Sequence, residues 1–236
     1  MGSEQKVAVI TGASQGIGAA LVNAYLDRNY RVVATSRSIG PSANPNLVTV
    51  PGDIGDPETA SRVIEEALAR FGRIDTLVNN AGIFVAAPFT TYSDDQYAQV
   101  VSTNINGFFF MTRAAVEAME KQGSGHVVSI TTSLVDHPNS AVPSVLASLS
   151  KGGIAAATKS LAIEYAARGI RANAVSPGII RTPMHKPETH EFLARLHPVE
   201  RIGDVDDVVG AVLFLETAPF VTGEILHVDG GQAAGH

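Results

Sequence analysis

A glycine-rich stretch near the start of the sequence is the first candidate for chemistry. The segment TGASQGIG (11–18) follows the apolar run KVAVIT (6–11) and leads into the helical pattern AALVNAYLDR. Its glycines allow the backbone to approach a pyrophosphate, and the start of the next helix offers free N–H groups and the positive end of its dipole. The spacing G-x-x-x-G-x-G lacks the G-K-[ST] ending of a P-loop. The stretch therefore predicts a dinucleotide site.

Such a site needs a scaffold, and the rest of the sequence predicts one. Short β-branched runs alternate with helical patterns such as PETASRVIEEALARF (57–71). This alternation is typical of an α/β fold with a parallel, doubly wound sheet of Rossmann type. No linker, repeat or charge block divides the chain, so we expect a single domain over 1–236. The predicted strands are 6–11, 31–36, 47–50, 75–80, 126–131, 171–176 and 224–228.

Composition excludes several classes of function. The net charge of −6 offers no basic surface for nucleic acid or an anionic membrane, and there is no cysteine for a disulfide or a zinc–thiolate site. The seven histidines are scattered without metal-ligand spacing, so we expect no metal. The start MGSEQKVAVITG has no apolar signal region, and no apolar run is long enough to cross a bilayer. We expect a cytoplasmic protein.

Further motifs follow the glycine-rich stretch in order along the chain. They are GDIGD (52–56), NNAG (79–82), STNING (102–107) and SPGIIRTP (176–183). Together these motifs resemble the short-chain dehydrogenase/reductase family over nearly the whole chain. The resemblance implies a parallel sheet of about seven strands, hydride transfer between NAD(P) and a small carbonyl or alcohol, and assembly as dimers or tetramers.

The resemblance also assigns the cofactor contacts. Asp53 is similar to the aspartate that contacts the adenine, and SPGIIRTP is similar to the segment that closes over the nicotinamide. The predicted cofactor-binding residues are Gly12, Ser14, Gln15, Gly16, Ile17, Gly18, Ser36, Arg37, Asp53, Ile54, Asn80, Ala81, Gly82, Lys151, Pro177, Gly178, Ile180 and Thr182.

The residues after the second predicted strand indicate which nicotinamide is bound. An acid there accepts hydrogen bonds from the ribose 2′-hydroxyl of NAD and repels the 2′-phosphate of NADP. Here Ser36 stands at that position and Arg37 follows. A guanidinium binds phosphate through charge-assisted hydrogen bonds, although Arg37 is otherwise read as a solvated surface arginine. The missing acid favours NADP(H), with NAD as the alternative.

The catalytic residues of the family have one gap in this sequence. In the family a serine positions the substrate oxygen, a tyrosine transfers the proton, a lysine one helical turn later binds the ribose, and an asparagine holds a water. The stretch VPSVLASLSKGG (142–153) contains the lysine, but Ala147 stands where the tyrosine is expected. The resemblance implies Asn104, Thr132, Ser133 and Lys151 as the catalytic set, with Thr132 or Ser133 in the place of the serine. The chain is identified as an atypical member that lacks the tyrosine.

The surroundings of Ala147 also depart from the family. Leu149 stands where a small residue is usual, and the loop before Ala147 is longer than usual. A single engineered substitution at position 147 would leave the neighbouring residues unchanged. We therefore interpret Ala147 as the result of natural divergence. The replacement for the tyrosine stays open between His137, Ser144, Ser148 and Lys151 acting through a water.

Two functions are consistent with these observations. The first is an NADP(H)-dependent oxidoreductase that works on a small-molecule substrate without the usual tyrosine. The second is a catalytically silent dinucleotide-binding protein, acting as a sensor or an assembly subunit. In both, the segment TPMHKPETHEFLARLHPVE (182–200) is expected to cover the site, and the chain is expected to form a homodimer or homotetramer.

Overall fold

The structure is a computed structural model that describes residues 5–235, and its centre is one parallel sheet. The strand order is β3-β2-β1-β4-β5-β6-β7, and every pair of neighbours is parallel. The predicted α/β fold with about seven strands is therefore confirmed. The strands are β1 (Val7–Thr11), β2 (Arg31–Ser36), β3 (Leu47–Pro51), β4 (Thr76–Asn79), β5 (Gly125–Ile130), β6 (Ile170–Pro177) and β7 (Ile225–Val228).

Helices cover both faces of this sheet. They are α1 (Gly16–Asp27), α2 (Pro57–Phe71), α3 (Asp94–Val100), α4 (Gly107–Gln122), α5 (Val145–Tyr165), α6 (His190–Ala194) and α7 (Val205–Thr217). A π-helical turn, Val101–Asn106, joins α3 to α4. Residues 1–4 and residue 236 of the expected single domain lie outside the described residues.

Two apolar cores form because successive strand residues point to opposite faces of the sheet. On one face, Ala8 and Ile10 of β1 pack with Leu21 of α1 and Val212 of α7. On the other face, Val9 packs with residues of α2 and α4. Strands buried on both faces read as continuous apolar runs, and for that reason the sequence located all seven of them.

Local sequence signals fix where the helices begin and end. The side chain of Asp56 accepts a hydrogen bond from the Glu58 N–H, and Pro57 follows as the first residue of α2. The helix ends at Gly72, whose φ of 77° is in the left-handed region that favours glycine. Among residues 5–235, no helix is long and apolar enough to span a bilayer.

A buried carboxylate joins α7 to the amino end of the sheet. Glu216 accepts hydrogen bonds from Thr76 Oγ1 (2.8 Å) and the Tyr30 hydroxyl (3.0 Å). His126 Nδ1 lies 3.1 Å from the same carboxylate, and both side chains are almost fully buried. Burial acting alone raises the pKa of Glu216, but the hydrogen bonds from these neighbours outweigh it, and the net shift is downward.

The amide of Asn173 fixes the protonation state of His126. Asn173 Oδ1 accepts from the Glu224 N–H at 3.0 Å, and Asn173 Nδ2 donates to the Val221 carbonyl at 3.0 Å. The remaining hydrogen of Nδ2 faces His126 Nε2 at 3.0 Å, so Nε2 is an acceptor and carries no proton. His126 is therefore neutral, and its Nδ1–H donates to Glu216. Burial lowers the pKa of His126, in agreement with this arrangement.

This network predicts that stability falls in mild acid. The pKa of His126 is lower in the folded chain than in the unfolded chain, so below about pH 6.5 the unfolded state binds more protons. We expect the free energy of unfolding to fall as pH drops from 7.5 to 5.5. His126→Gln retains a donor for Glu216 and an acceptor for Asn173 but does not titrate, so it should reduce this loss by up to about 1.4 kcal/mol per pH unit.

Urea denaturation at a fixed protein concentration and several pH values measures the effect. His137→Gln, which removes a histidine outside the network, is the matched control and should keep the wild-type slope. An unchanged slope in His126→Gln would contradict the assigned protonation state.

Candidate active site

One large cavity lies at the carboxyl ends of the strands. It lies between β1 and β4, where the strand order reverses and the connecting segments pass to opposite sides. Its volume is about 800 Å³. Ligands in open α/β sheets bind at this kind of switch point. The walls include every predicted cofactor-binding residue except Gly18: Gly12, Ser14, Gln15, Gly16, Ile17, Ser36, Arg37, Asp53, Ile54, Asn80, Ala81, Gly82, Lys151, Pro177, Gly178, Ile180 and Thr182.

The glycine-rich loop is shaped by close approaches that a side chain would block. Gly12 and Gly16 have φ angles of 66° and 54°. A Cβ on Gly12 would lie 2.8 Å from the Cα of Ala81, and a Cβ on Gly18 would lie 2.2 Å from the Gly12 carbonyl oxygen. Gly18 therefore packs α1 against the loop and does not border the cavity, and its predicted contact with a cofactor stays a prediction.

The start of α1 has the character of an anion site. The residue before the helix, Gln15, makes no side-chain hydrogen bond to the first turn. The first N–H groups of α1 therefore have no side-chain cap and face a cavity bounded by Gly12 and Gly16. Such N–H groups and the helix dipole suit the pyrophosphate of a dinucleotide.

Asn80 holds the glycine-rich loop against the end of β4. Its Nδ2 donates to the carbonyls of Thr11 (2.9 Å) and Gly12 (3.2 Å). In return, Thr11 Oγ1 accepts from the N–H groups of Asn80 (3.1 Å) and Ala81 (3.0 Å). The NNAG motif thus fixes the geometry of the glycine-rich loop, called the phosphate loop below. Within the same motif, the buried Asn79 Nδ2 donates to Thr112 Oγ1 at 2.9 Å.

Two residues at the carboxyl end of β2 fit the 2′-phosphate of an adenosine ribose. The hydroxyl oxygen of Ser36 is buried and has no hydrogen-bond partner among residues 5–235. Arg37 is exposed, lines the cavity, and forms no hydrogen bond or ion pair within the part of the chain that the structure describes. One unpaired hydroxyl and one unpaired guanidinium, with no adjacent acid, are suitable groups for binding a phosphate.

Asn104 lies in the π-helical turn between α3 and α4. Its Oδ1 accepts from the Ile83 N–H at 2.9 Å, and its Nδ2 donates to the Ile83 carbonyl at 3.1 Å and to Ser150 Oγ at 3.0 Å. It is only 1% exposed and lies behind the cavity wall rather than in it. In this structure Asn104 anchors the loop after β4, and π-helical turns are frequent at functional sites.

Lys151 is the ionisable group at the centre of the cavity. Its Nζ donates to the Ile130 carbonyl at 2.7 Å. A Cβ on Gly82 would lie 3.0 Å from this Nζ and 3.4 Å from Asn104 Oδ1, so the three residues meet at one place. Burial lowers the pKa of Lys151 to about 8. An ammonium with that pKa is able to exchange a proton near neutral pH.

Thr132 and Ser133 both border the cavity, but only one of them has a free proton. Ser133 is 1% exposed, and its hydroxyl donates to Gln232 Oε1 at 2.7 Å. Thr132 is half-buried, and its oxygen accepts a long hydrogen bond from the Leu134 N–H at 3.4 Å. Within residues 5–235 the hydroxyl proton of Thr132 has no acceptor, so Thr132 is the residue able to donate to a substrate oxygen.

Ala147 also borders the cavity, one helical turn before Lys151 on α5. Its side chain is only 3% exposed, and Leu134 and Val142 of the preceding loop border the same cavity. Leu149 does not take part in this, since it is 61% exposed on the outside of α5. Leu149 therefore does not fill the space that a tyrosine ring would occupy.

The other candidates for a replacement acid lie elsewhere. Among the residues that the structure describes, the cavity wall includes neither His137, Ser144 nor Ser148. The Ser148 hydroxyl donates to the Leu134 carbonyl at 3.2 Å. The histidine that does reach the cavity is His185, in the segment 182–200. The sequence offered no signal for it, because a loop residue without periodicity cannot be assigned to a face.

The segment 182–200 closes one side of the cavity. It begins against the glycine-rich loop, where a Cβ on Gly16 would lie 3.3 Å from Thr182 Cγ2. It ends at buried His197, whose Nε2 accepts from the Ile179 N–H at 3.0 Å and whose Nδ1 donates to the Leu193 carbonyl at 3.0 Å. Its side chains in the wall are Thr182, Pro183, Met184, His185, Lys186, Thr189, Phe192, Leu193 and Leu196.

Gln232, near the C-terminus, is a site residue that sequence reasoning missed. Its Oε1 accepts from Ser133, and its Nε2 donates to the Leu196 carbonyl at 3.0 Å. It therefore connects the end of β5 to the segment 182–200. The available signal in the sequence was the glutamine of the GGQ stretch after β7, and the structure shows that this glutamine is buried. No group of three His, Asp or Glu residues placed to hold a metal ion occurs within residues 5–235.

Comparisons with known proteins agree with this geometry. A family model described as enoyl-(acyl carrier protein) reductase matches residues 12–233. The 3-oxoacyl-[acyl-carrier-protein] reductase FabG of Salmonella typhimurium is 34% identical over 98% of this chain and 99% of its own length. The 2-(R)-hydroxypropyl-CoM dehydrogenase of Xanthobacter autotrophicus is 36% identical over 97% of this chain and 99% of its own.

Solved structures show the same likeness. The structure of ElxO with NADP bound superposes with a TM-score of 0.90 and 30% identity, covering 98% of this chain and all of that one. The matched region includes the glycine-rich loop, the NNAG motif and the helix that carries Lys151. The chain therefore belongs to the short-chain dehydrogenase/reductase family of oxidoreductases.

Proposed function

We propose that this protein is an NADP(H)-dependent oxidoreductase that transfers hydride to or from a small carbonyl or alcohol without the tyrosine that the family uses. The observation that carries this proposal is the position of Lys151. Its ammonium, the free hydroxyl of Thr132 and the phosphate loop border the same cavity. Ala147 occupies the place of the tyrosine, so the proton must come from another group.

The choice of NADP rests on the end of β2. Ser36 and Arg37 border the cavity, and neither side chain has a partner among the described residues. The similar ElxO structure has NADP bound, which supports the same choice by analogy. NAD remains the alternative cofactor, because the phosphate loop and Asp53 suit either dinucleotide.

Residues of the chain bind the cofactor, orient the substrate and transfer the proton. When bound, the cofactor supplies or accepts the hydride. The N–H groups at the start of α1 bind its phosphates, and Thr132 orients the substrate oxygen by a hydrogen bond. In the reductive direction Lys151 holds the proton at Nζ and releases it to that oxygen, directly or through one water. Asn104 positions the wall between Lys151 and Gly82 by holding Ile83.

The lowered pKa suits Lys151 to this role. A general acid works best when its pKa lies near the operating pH, because it is then protonated and still gives up its proton readily. An ordinary lysine, with a pKa near 10.4, is a weak acid at neutral pH. Burial brings the pKa of Lys151 to about 8, so the ammonium is a stronger proton donor without help from a phenol.

The second candidate function is a dinucleotide-binding protein without turnover, a sensor or an assembly subunit. The observation that favours it is Ala147 itself, since loss of a general acid costs about 10²–10⁴-fold in rate. The other groups of the site are present, however, and the hydroxyl proton of Thr132 has no acceptor among the described residues. We therefore place the oxidoreductase first.

We also propose that the segment 182–200 covers the substrate and that the chain forms a symmetric homodimer or homotetramer. The first proposal is supported by the row of its side chains in the cavity wall. The second is supported by apolar side chains that stand exposed on α4 and α5, such as Phe109 and Ile163. The cytoplasmic location expected from the sequence stays a prediction.

The first prediction of this proposal concerns the cofactor. Arg37→Asp replaces a phosphate donor with a repelling acid, so NADPH should bind about 10- to 100-fold more weakly while NADH affinity changes little. Calorimetry with both cofactors measures this. Arg28→Asp alters an exposed arginine outside the cavity and is the control. Equal losses for NADPH and NADH would show that Arg37 is not the selector.

The second prediction concerns the proton. At saturating NADPH, Lys151→Met should lower kcat on aldehydes, ketones, quinones or imines by about 10²–10⁴-fold. Lys159→Met, on the exposed side of the same helix, should not change it. In the wild type, the reduction rate should fall as pH rises through about 8, since Lys151 then loses its proton. Tight NADPH binding with no turnover on any of these substrates would favour the silent binder.

The third prediction concerns assembly. Light scattering at micromolar concentration should show a dimer or tetramer, and Ile163→Glu should shift it towards smaller species, because a charge would replace an exposed apolar side chain of α5. Glu224→Gln, a charge change on an unrelated surface, is the control. A monomeric wild type would contradict the proposed assembly.

A further inference from the structure

The segment 181–201 contains four permanent cations, and one of them differs from the rest. Arg181 pairs with Asp204 at 3.0 Å, and Arg201 pairs with Asp207 at 2.8 Å. Arg195 pairs with Glu191 one helical turn before it. Lys186 has no hydrogen bond or ion pair from its side chain within residues 5–235, and of the four it alone borders the cavity. Lys186 is thus an exposed, unpaired lysine at the edge of the cavity.

No acid in the wall balances this charge. The ionisable residues of the wall are Arg37, Asp53, Lys151, His185 and Lys186. The single carboxylate among them, Asp53, follows β3 and so belongs to the adenosine end of the cavity. At the opposite end, Lys151 and Lys186 are both cations. His185 is half-buried, and burial, with the neighbouring His190, lowers its pKa, so it is a neutral hydrogen-bonding group near pH 7.

The same end of the cavity is otherwise apolar. Phe192, Leu193 and Leu196 form the wall on the side of the segment 182–200, and Leu134 and Val142 form the wall on the side of the loop before α5. A charged group beside such walls suits an amphipathic molecule with a hydrocarbon body and an acidic end.

We infer that the substrate is an oxo acid, or the corresponding hydroxy acid, whose carboxylate binds Lys186 while its carbonyl reaches Thr132 and Lys151. This inference rests on the proposed function and names the substrate class of that site. Lys151 donates a hydrogen bond to the Ile130 carbonyl, and in the proposed function it also donates the proton to the reacting oxygen. It is therefore not available for the carboxylate. In reduction, the carbonyl carbon gains the hydride, the oxygen gains the proton, and the carboxylate is unchanged.

The competing role for Lys186 is a contact with the cofactor phosphates. Thr182 and Pro183 lie against Gly16 at the phosphate loop, and Lys186 follows them closely in the chain. The apolar residues of α6 come after Lys186, so it stands between the phosphate end and the apolar end. An experiment must therefore separate cofactor binding from substrate binding.

Paired substrates provide that separation. The rate of NADPH oxidation is measured with 4-oxopentanoate and 5-oxohexanoate and with their ethyl esters, for the wild type, Lys186→Gln and the surface control Lys159→Gln. We expect the wild type to prefer the acids, and Lys186→Gln to raise KM for the acids about tenfold without a comparable change for the esters. NADPH affinity, followed by fluorescence, should stay unchanged.

The outcomes against the inference are distinct. If acids and esters react alike in the wild type, or if Lys186→Gln leaves the preference intact, the substrate is not selected by its carboxylate. If Lys186→Gln weakens NADPH binding and affects acid and ester equally, Lys186 binds the cofactor, and the inference is overturned.

A binding measurement tests the inference if turnover is absent and the proposed function fails. Calorimetry compares hexanoate with hexanamide binding to the NADP⁺ complex. Tighter binding of hexanoate, lost in Lys186→Gln but retained in Lys159→Gln, supports the carboxylate site without catalysis. Equal binding of the two compounds overturns it.

Discussion

The close approach of the glycine-rich loop to the end of β4 is the constraint on which the site depends. Gly12 and Gly18 leave no space for a Cβ, and Asn80 ties two carbonyls of the loop to the neighbouring strand. Without this packing, α1 would not present its first N–H groups to the cavity. The same junction places Gly82 beside Lys151, so the phosphate loop and the reaction centre are positioned by one set of contacts.

Under the proposed function, Ala147 in the place of the family's tyrosine leaves Lys151 to supply the proton. In the family's usual site the lysine acts partly through the phenol, but here the ammonium borders the cavity with a methyl group beside it. Two features support it: the Ile130 carbonyl fixes Nζ, and burial moves its pKa towards neutrality. Burial disfavours the charged form of any amine, and here that effect also improves the group as an acid. The buried position of Lys151 Nζ therefore also explains its lowered pKa.

The sequence predicted the fold almost completely, because strands buried on both faces leave continuous apolar runs and the glycine spacing has few structural meanings. Nearly every predicted cofactor-binding residue borders one cavity, and its contact with a cofactor stays a prediction. The sequence did not separate Thr132 from Ser133, since the choice depends on a hydrogen bond to Gln232, about 100 residues away in the chain. It did not identify His185 or Lys186, because irregular segments have no periodicity that shows which side chains face inward. It did not show that Gly18 packs a helix, because a glycine that contacts a ligand and one that packs a helix look alike in sequence.

Charge is arranged differently at the two ends of the sheet, and this separates stability from chemistry. At the amino end, the Glu216 carboxylate accepts hydrogen bonds from Thr76 and Tyr30, and neutral His126 completes its shell. Both oxygens of that carboxylate accept hydrogen bonds, and Glu216 does not border the cavity. At the carboxyl end, the hydroxyl of Ser36, the guanidinium of Arg37 and the ammonium of Lys186 have no partners among the described residues. Arg37 and Lys186 are exposed, so they stay hydrated without a protein partner and their charges remain available to an anionic ligand. Unpaired cations beside the cavity are therefore the physical reason to propose binding at that end of the sheet and structural support at the other.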